Sequence, residues 1–208
     1  MKNVDDLIEN ATALAQKGLS KGEIADELNV SRETARWLVE RGDASTGGPE
    51  TEPAPREPTD IHVDWSAVGT DSDRLDFVGR ALADLLRDKN GVPDVTVGVE
   101  KAGVPLATTV ARDLETDLGT YTPRKHQWNE GDIEDLGGSF SRNFAPVEDH
   151  DCVVVDDTVT SGTTLTETIS AIEERGGNPT ACVVLVDKQG VDEVEGVPVY
   201  SLVQVIRV

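Results

Sequence analysis

Short valine-rich runs alternate with helical patterns over residues 61–208, and this alternation constrains the fold more than any other feature. Such strand–helix alternation favours a parallel sheet covered by helices on both faces, so we expect an α/β domain. Apolar periodicity predicts its elements. Predicted strands cover 95–99, 118–122, 152–155, 181–186 and 199–205, and predicted helices cover 71–87 (with Ser72 as N-cap), 103–114 and 163–175.

A stretch rich in proline and glycine divides the chain. Residues 42–60 contain four prolines and no apolar periodicity, which is typical of a semi-extended linker. The sequence therefore predicts a small helical domain over 1–41, a linker over 42–60 and the α/β domain over 61–208. The polar stretch 124–150 fits no regular element, and such a long loop in a compact domain is often functional.

The charge balance is strongly acidic, with 40 acidic against 19 basic residues and a net charge of −21. One interpretation is solubility and repulsion of polyanions. The other is a surface that stays hydrated at very high salt, which the low lysine content and the many aspartates favour. At ~1 M salt the Debye length is about 3 Å, so net charge does not exclude a DNA partner there.

The cysteines and the apolar runs restrict the compartment. Cys152 and Cys182 each lie in an apolar run without a neighbouring cysteine or histidine cluster, so we expect buried, reduced thiols. No apolar run approaches the ~18 residues of a membrane span. Residues 1–6 show no signal-peptide pattern. We therefore expect a cytoplasmic protein with no membrane partner.

Residues 153–164 combine an apolar strand, two carboxylates, a Thr/Ser/Gly loop and the start of a helix. Ligands of open parallel sheets bind at the carboxyl ends of strands, and a helix N-terminus offers N–H groups to an anion. The loop hydroxyls suit a phosphate, while the carboxylates suit neighbouring sugar hydroxyls. The alternative is a turn that only caps the helix. The residues predicted to bind a sugar phosphate are Asp156, Asp157, Thr158, Thr160, Ser161, Gly162, Thr163 and Thr164.

This run resembles the signature of the type I phosphoribosyltransferases, and the resemblance covers about residues 61–208. Residues 98–107 resemble the pyrophosphate loop of the orotate branch, which adds Glu100 and Lys101 to the candidate binding residues. The resemblance implies a type I phosphoribosyltransferase-like sheet, a ligand similar to phosphoribosyl pyrophosphate, Mg²⁺ held together with that ligand, a dimer and a flexible loop. No other cofactor and no separate metal site are expected.

The flexible loop departs from the orotate enzymes. Arg124 and Lys125 match the family's Arg-Lys pair and are candidate ligand contacts, but Trp128 and Glu130 stand where a second lysine and a histidine are expected. Losing one donor to developing charge costs on the order of 100-fold in rate. We therefore expect a non-catalytic homologue without catalytic residues, unless His126 compensates by a shift in register.

Residues 19–41 resemble a helix-turn-helix, preceded by a helix over 4–17. Ile24, Ala25 and Leu28 form an apolar stripe, and a break follows before the second helix. In this motif the second helix enters the major groove of double-stranded DNA. The alternative is a helical module for packing or dimerisation. The predicted DNA contacts are Ser31, Arg32, Glu33, Thr34 and Arg36.

The whole chain resembles the GfcR-type regulators of sugar catabolism in haloarchaea. The resemblance is carried by the helix-turn-helix, by residues 122–128 and 135–144, and by Asp156–Asp157. It implies a homodimeric, promoter-binding transcriptional regulator with a phosphorylated effector. Two alternatives stay open: an active orotate or purine phosphoribosyltransferase with an appended helical module, and a binding protein whose N-terminal helices only dimerise.

Overall fold

The computed structural model describes residues 4–44, 61–87, 89, 92–124 and 138–206. The chain divides into two compact units, Met1–Trp65 and Ser66–Val208. Residues 61–65, the first residues of the predicted α/β domain, fall in the first unit and belong to no helix or strand. Residues 45–60, which make up most of the predicted linker, lie outside the described residues.

The predicted small helical region is present in the first unit as α1 (Val4–Gln16), α2 (Lys21–Glu27) and α3 (Arg32–Ala44). A capping box begins α2, since Ser20 Oγ accepts the N–H of Glu23 and the Glu23 carboxylate accepts the N–H of Ser20 at 2.7 Å. Ser31 Oγ accepts the N–H of Thr34 at 3.1 Å and caps α3. These caps fix where both helices begin.

A tight turn separates α2 from α3. Asn29 has a backbone φ of 54°, in the left-handed region that asparagine tolerates better than most residues. The turn brings the predicted apolar stripe of α2 against α3 and α1, which confirms the inward-facing residues. The core consists of Ala11, Ile24, Ala25, Leu28, Val30, Ala35, Trp37, Leu38 and Val39.

Helix α3 is longer than predicted. The predicted helical domain ends at residue 41 and the predicted linker begins at residue 42, but α3 continues to Ala44. Gly42 lies where α3 packs on α1, and a Cβ there would collide with the Thr12 hydroxyl and lie 3.5 Å from Ile8 Cγ2. Packing against α1 therefore sustains the helix through a glycine that helix propensity alone disfavours.

The second unit is a sheet with helices on both faces. Its described strands are β1 (Val95–Val99), β2 (Asp117–Thr122), β3 (Ser139–Phe140), β4 (Asp151–Val159), β5 (Asn178–Asp187), β6 (Glu193–Val194) and β7 (Val197–Gln204). The helices are α4 (Ser66–Gly69), α5 (Ser72–Arg87), α6 (Gly103–Leu114) and α7 (Thr163–Glu174). The strand order is β3-β2-β1-β4-β5-β7-β6. Among the described residues, no helix of either unit is long and apolar enough to cross a membrane.

The strand directions confirm the predicted parallel sheet in the centre, but the two edge strands run antiparallel, contrary to the prediction. Strands β2, β1, β4, β5 and β7 run parallel, whereas β3 and β6 pair antiparallel with their neighbours. The β6–β7 turn has positive φ at both Glu195 (51°) and Gly196 (79°), the geometry of a type I′ hairpin. Strands as short as β3 and β6 carry too little periodicity to be recognised in a sequence.

Both faces of the sheet are covered, as predicted. Gly98 of β1 lies under α6, where a Cβ would be 2.8 Å from the Cβ of Ala107, and α5 packs beside α6. On the other face Val97 and Val154 pack with Leu165 of α7. All five residues of β1 and residues 152–155 of β4 are buried, because both faces of the sheet are covered.

The predicted elements are present, with some shifted ends. β1 and α6 occupy the predicted residues 95–99 and 103–114. Asp71 rather than Ser72 caps α5, because Asp71 Oδ1 accepts the N–H of Arg74 at 3.0 Å. Helix α7 ends at Glu174, one residue before the predicted end.

Strand β4 differs more from its predicted bounds than the elements above. It was predicted to end at residue 155, ahead of the two carboxylates, but it continues to Val159. Asp156 pairs with Val184 and Thr158 with Val186 of β5. Pairing with a long central neighbour therefore overrides the low strand propensity of aspartate.

Candidate functional site

The carboxyl edge of the parallel strands brings the predicted effector residues together. Glu100 and Lys101 follow β1, Arg124 follows β2, and the loop 160–162 follows β4. Because β2, β1 and β4 are adjacent and parallel, these segments lie side by side where open α/β sheets bind ligands. The N–H of Glu100 donates to the carbonyl of Tyr121 at 2.8 Å and links the first two segments.

The carboxylates of Asp156 and Asp157 are not equivalent. Because β4 runs through both residues, their side chains point to opposite faces of the strand. Asp157 is 8% exposed, whereas Asp156 is half-buried. Asp156 Oδ1 accepts the N–H of Asp157 at 2.8 Å, and Asp157 Oδ2 accepts the Thr158 hydroxyl at 3.3 Å. Asp156 is thus the more accessible acceptor for a sugar hydroxyl.

The loop after β4 ends at the N-terminus of α7. Gly162 has a φ of 76°, a left-handed conformation that glycine adopts readily. No side chain caps α7 at this position, so the N–H groups of its first turn can face water or an anion. The exposed hydroxyls of Ser161 and Thr163 lie 2.9 Å apart. Thr160 and Thr164 are half-buried beside them.

A second helix begins at the same edge. The N-cap of α6, Ala102, makes no side-chain cap hydrogen bond. Gly103 approaches β4 so closely that a Cβ would collide with the carbonyl of Val155 and lie 3.2 Å from Asp156 Oδ1. Helix N-termini carry partial positive charge, so α6 and α7 together favour an anion at this edge.

Lys188 is a residue of this edge that the sequence pattern did not single out. It follows β5, is 4% exposed, and its N–H donates to the carbonyl of Val159 at 3.0 Å. The Asp187 carboxylate accepts the N–H groups of residues 189–191 at 2.8–2.9 Å and fixes the turn. A lysine is rarely buried so deeply. In the sequence, the one feature that could have indicated this position is the abrupt change from an apolar run to Asp187–Lys188, just past the predicted strand end.

Arg124 is anchored through its backbone. Its N–H donates to Glu167 Oε1 at 2.7 Å, and the same oxygen accepts the Tyr121 hydroxyl at 3.0 Å. Burial and the charge of Glu167 both raise the pKa of Tyr121, which therefore remains a proton donor. Four residues named for the flexible loop lie outside the described residues: Lys125, His126, Trp128 and Glu130.

The carboxylates at this edge limit how a magnesium ion could bind. Within the described ranges, no group of three or more His, Cys, Asp or Glu side chains could hold a metal ion. Magnesium usually takes one or two carboxylates together with phosphate oxygens and water. An ion at this edge would fit only as a joint ligand of Asp156 or Glu100 and of a bound phosphate.

The predicted DNA contacts lie at the start of α3. Arg32, Glu33 and Arg36 are exposed. Ser31 and Thr34 are half-buried and are joined by the capping hydrogen bond from the Thr34 N–H to Ser31 Oγ. The Arg32 Nε lies 3.7 Å from the Cβ position of Gly22, which places this guanidinium beside the first turn of α2.

Lys21 of α2 joins this surface, although the sequence pattern did not include it. The Glu40 carboxylate accepts from Arg36 Nε at 2.7 Å and from Lys21 Nζ at 3.4 Å. The hydrogen bond from Arg36 is the main reason that the pKa of Glu40 is lowered. Lys21, Arg32 and Arg36 are hereafter called the basic surface.

Comparison with known proteins decides the family. Residues 64–206 match the family described as phosphoribosyl transferase domain. The chain is 70% identical over 208 residues to the transcriptional regulator GfcR of Haloferax volcanii, covering 100% of this chain and 99% of that one. The chain belongs to the GfcR family of transcriptional regulators. GfcR of Methanosarcina mazei is 43% identical over 214 residues, with 100% of both chains covered. The similarity to both GfcR proteins therefore spans the helical unit as well as the transferase-like unit.

Solved structures confirm the type I phosphoribosyltransferase fold of the second unit. Orotate phosphoribosyltransferase from Aeropyrum pernix aligns with a TM-score of 0.58 and 23% identity, over 72% of this chain and 81% of that one. The Mycobacterium tuberculosis orotate enzyme in complex with 5-phospho-α-D-ribosyl 1-diphosphate aligns with a TM-score of 0.53 and 20% identity, over 69% and 80%. At this identity the likeness concerns the fold.

Proposed function

We propose that this regulator binds promoter DNA through its helical unit and senses a phosphorylated sugar through its transferase-like unit. One observation carries the proposal: two helix N-termini without side-chain caps meet at one sheet edge, in a chain similar over its full length to transcriptional regulators. Anions bind at such termini. In response to this sugar phosphate, the protein regulates genes of central sugar catabolism.

The effector site divides by chemistry. One phosphate binds the hydroxyls and N–H groups of residues 160–164, and Asp156 accepts hydrogen bonds from the sugar. Lys101 and Arg124, which follow neighbouring strands, provide positive charge for a second anionic group. Magnesium, where present, is held jointly by the ligand and by a carboxylate.

The DNA site is the basic surface. A net charge of −21 opposes DNA binding at low salt, but at ~1 M salt the Debye length of about 3 Å leaves only local contacts. The acidic composition therefore supports a protein that works in concentrated salt and reads DNA through Arg32 and Arg36. A homodimer would place two α3 helices at half-sites about 34 Å apart.

DNA binding is tested by fluorescence anisotropy of promoter fragments at molar salt. The change of both Arg32 and Arg36 to alanine is expected to weaken specific binding by about 2–6 kcal/mol in total. Arg80→Ala, which removes an exposed arginine of the second unit, serves as the control and should change nothing. Binding unaffected by the double variant would instead favour helices that only dimerise or pack.

Effector sensing is tested with the same fragments. Ribose 5-phosphate and other sugar phosphates, added one at a time, are expected to change the apparent DNA affinity for at least one member of the panel. An Asp156→Ala variant should lose this response while retaining DNA affinity. No response to any member would contradict the proposed effector class.

Phosphoribosyl transfer is a second candidate activity, because residues 64–206 match the phosphoribosyl transferase domain. We expect binding without turnover, since Trp128 and Glu130 replace the cations expected in the loop. The assay is release of pyrophosphate from phosphoribosyl pyrophosphate with orotate and purine bases. Turnover comparable to that of an ordinary transferase would favour the enzyme.

A further inference from the structure

One oxygen of Glu167 joins helix α7 to the end of β2. Glu167 Oε1 accepts the N–H of Arg124 at 2.7 Å and the hydroxyl of Tyr121 at 3.0 Å. Gly138 lies against the same pair, because a Cβ there would collide with the Tyr121 hydroxyl and lie 2.7 Å from Glu167 Oε1. The described residues on either side of 125–137 therefore meet at a single carboxylate.

This carboxylate lies one helical turn from the loop 160–162, which is the proposed phosphate loop. Thr163 is the first residue of α7, and its hydroxyl lies 2.9 Å from that of Ser161. Glu167 follows four residues later, so the two side chains lie on the same side of the helix, one turn apart. The rigid first turn of α7 thus sets the distance between the phosphate loop and the backbone of Arg124.

Burial makes this contact well defined. Tyr121 is 1% exposed, and its ring packs on Phe140 of β3 with centroids 5.0 Å apart. The ring is thus held in place, and its hydroxyl donates to Glu167 Oε1. A hydrogen bond to a charged acceptor in such surroundings is stronger than one in water.

We infer that Glu167 is a positioning residue that makes the effector site selective for a sugar phosphate carrying a second anionic group. By holding the backbone N–H of Arg124, it fixes the point from which that side chain extends, relative to the loop 160–162 that binds the first phosphate. The inference rests on the proposed function, because it assumes a phosphorylated sugar at this edge. Glu167 itself contacts no ligand and acts only through Arg124.

A calorimetric titration of the full chain at molar salt, with two probes, tests the inference. Phosphoribosyl pyrophosphate carries a second anionic group, whereas ribose 5-phosphate does not. Glu167→Ala is expected to weaken the affinity for phosphoribosyl pyrophosphate by about tenfold and for ribose 5-phosphate by less than about twofold. Glu167→Gln, which keeps an acceptor oxygen, should restore the first affinity to within about threefold.

Matched variants separate positioning from folding. Glu173→Ala removes an exposed carboxylate from the same helix and should alter neither affinity. Should Glu167→Ala fail to fold by circular dichroism, Gly138→Ala perturbs the same contact and is expected to cause the same selective loss. If Glu167→Ala weakened the affinity for both probes equally, or left the affinity for phosphoribosyl pyrophosphate unchanged, the role of Glu167 would be disproved and the proposed function would stand. An unmodified chain that binds neither probe would overturn the proposed effector class and the inference with it.

Discussion

The Nε of Arg36 lies 2.7 Å from Oε1 of Glu40, one turn further along α3. Lys21 reaches the same oxygen at 3.4 Å, so one carboxylate restrains two cations of the basic surface. The predicted selectivity for promoter DNA depends on this restraint, because a cation held in one place contacts phosphates only where the duplex fits.

Glu40→Gln is therefore expected to raise the affinity for random DNA roughly three- to tenfold and to reduce the ratio of specific to non-specific binding. The plot of log affinity against log salt should steepen by up to about 0.9 for each released cation that contacts a phosphate. Glu9→Gln removes the same charge from an exposed position on α1. An equal effect of the two variants would show that only net charge matters.

Gly42 is expected to be irreplaceable within α3, although helix propensity favours alanine. A Cβ at this position would collide with the hydroxyl of Thr12, which is held by its own hydrogen bond to the carbonyl of Ile8 at 2.8 Å. Gly42→Ala should lower the free energy of unfolding by about 1–3 kcal/mol.

Gly22 offers the matched control, because the nearest atom to its Cβ position is 3.7 Å away. Gly22→Ala should leave the free energy of unfolding unchanged or raise it by up to about 1 kcal/mol. Urea unfolding followed by circular dichroism measures both variants. A Gly42→Ala chain as stable as the unmodified one would disprove the close packing of α1 on α3.

The thiols of Cys152 and Cys182 are expected to resist alkylation in the folded chain. Both side chains are fully buried, as predicted, and burial raises the pKa of each thiol to about 12. At pH 8 only about one thiol in ten thousand would then be ionised, and the thiolate is the reactive form. Mass spectrometry after iodoacetamide treatment should detect labelling only in guanidinium chloride; rapid labelling of the native chain would contradict their burial.

The central elements of the fold could be predicted because their signals are local. The valine run of β1 and the periodic apolar residues of α6 are complete within the sequence of each element. The end of β4 could not be predicted, since its extension through Asp156 and Asp157 depends on pairing with β5. Propensity carries no information about that neighbour.

In the candidate site, too, residues with a local sequence signal could be predicted and residues that depend on distant contacts could not. The run 156–164 was recognisable from its residue types, and its placement at the sheet edge agrees with them. Glu167 carried no local signal, and the abrupt change at Asp187–Lys188 did not indicate that the lysine is buried. The contact between Glu167 and Tyr121 joins residues 46 positions apart, and the burial of Lys188 follows from the turn after β5. The interpretation of Trp128 and Glu130 stays a prediction.

The proposed regulation of DNA binding by a sugar phosphate can be tested with a genome-wide occupancy map of the chain in cells grown with and without sugar. We expect discrete promoter sites near sugar-catabolism genes, with an occupancy that changes when sugar is added. We also expect that an Asp156→Ala chain occupies the same sites without that change. Occupancy that is absent from promoters, or that is identical in both conditions for the unmodified chain, would contradict the proposed function.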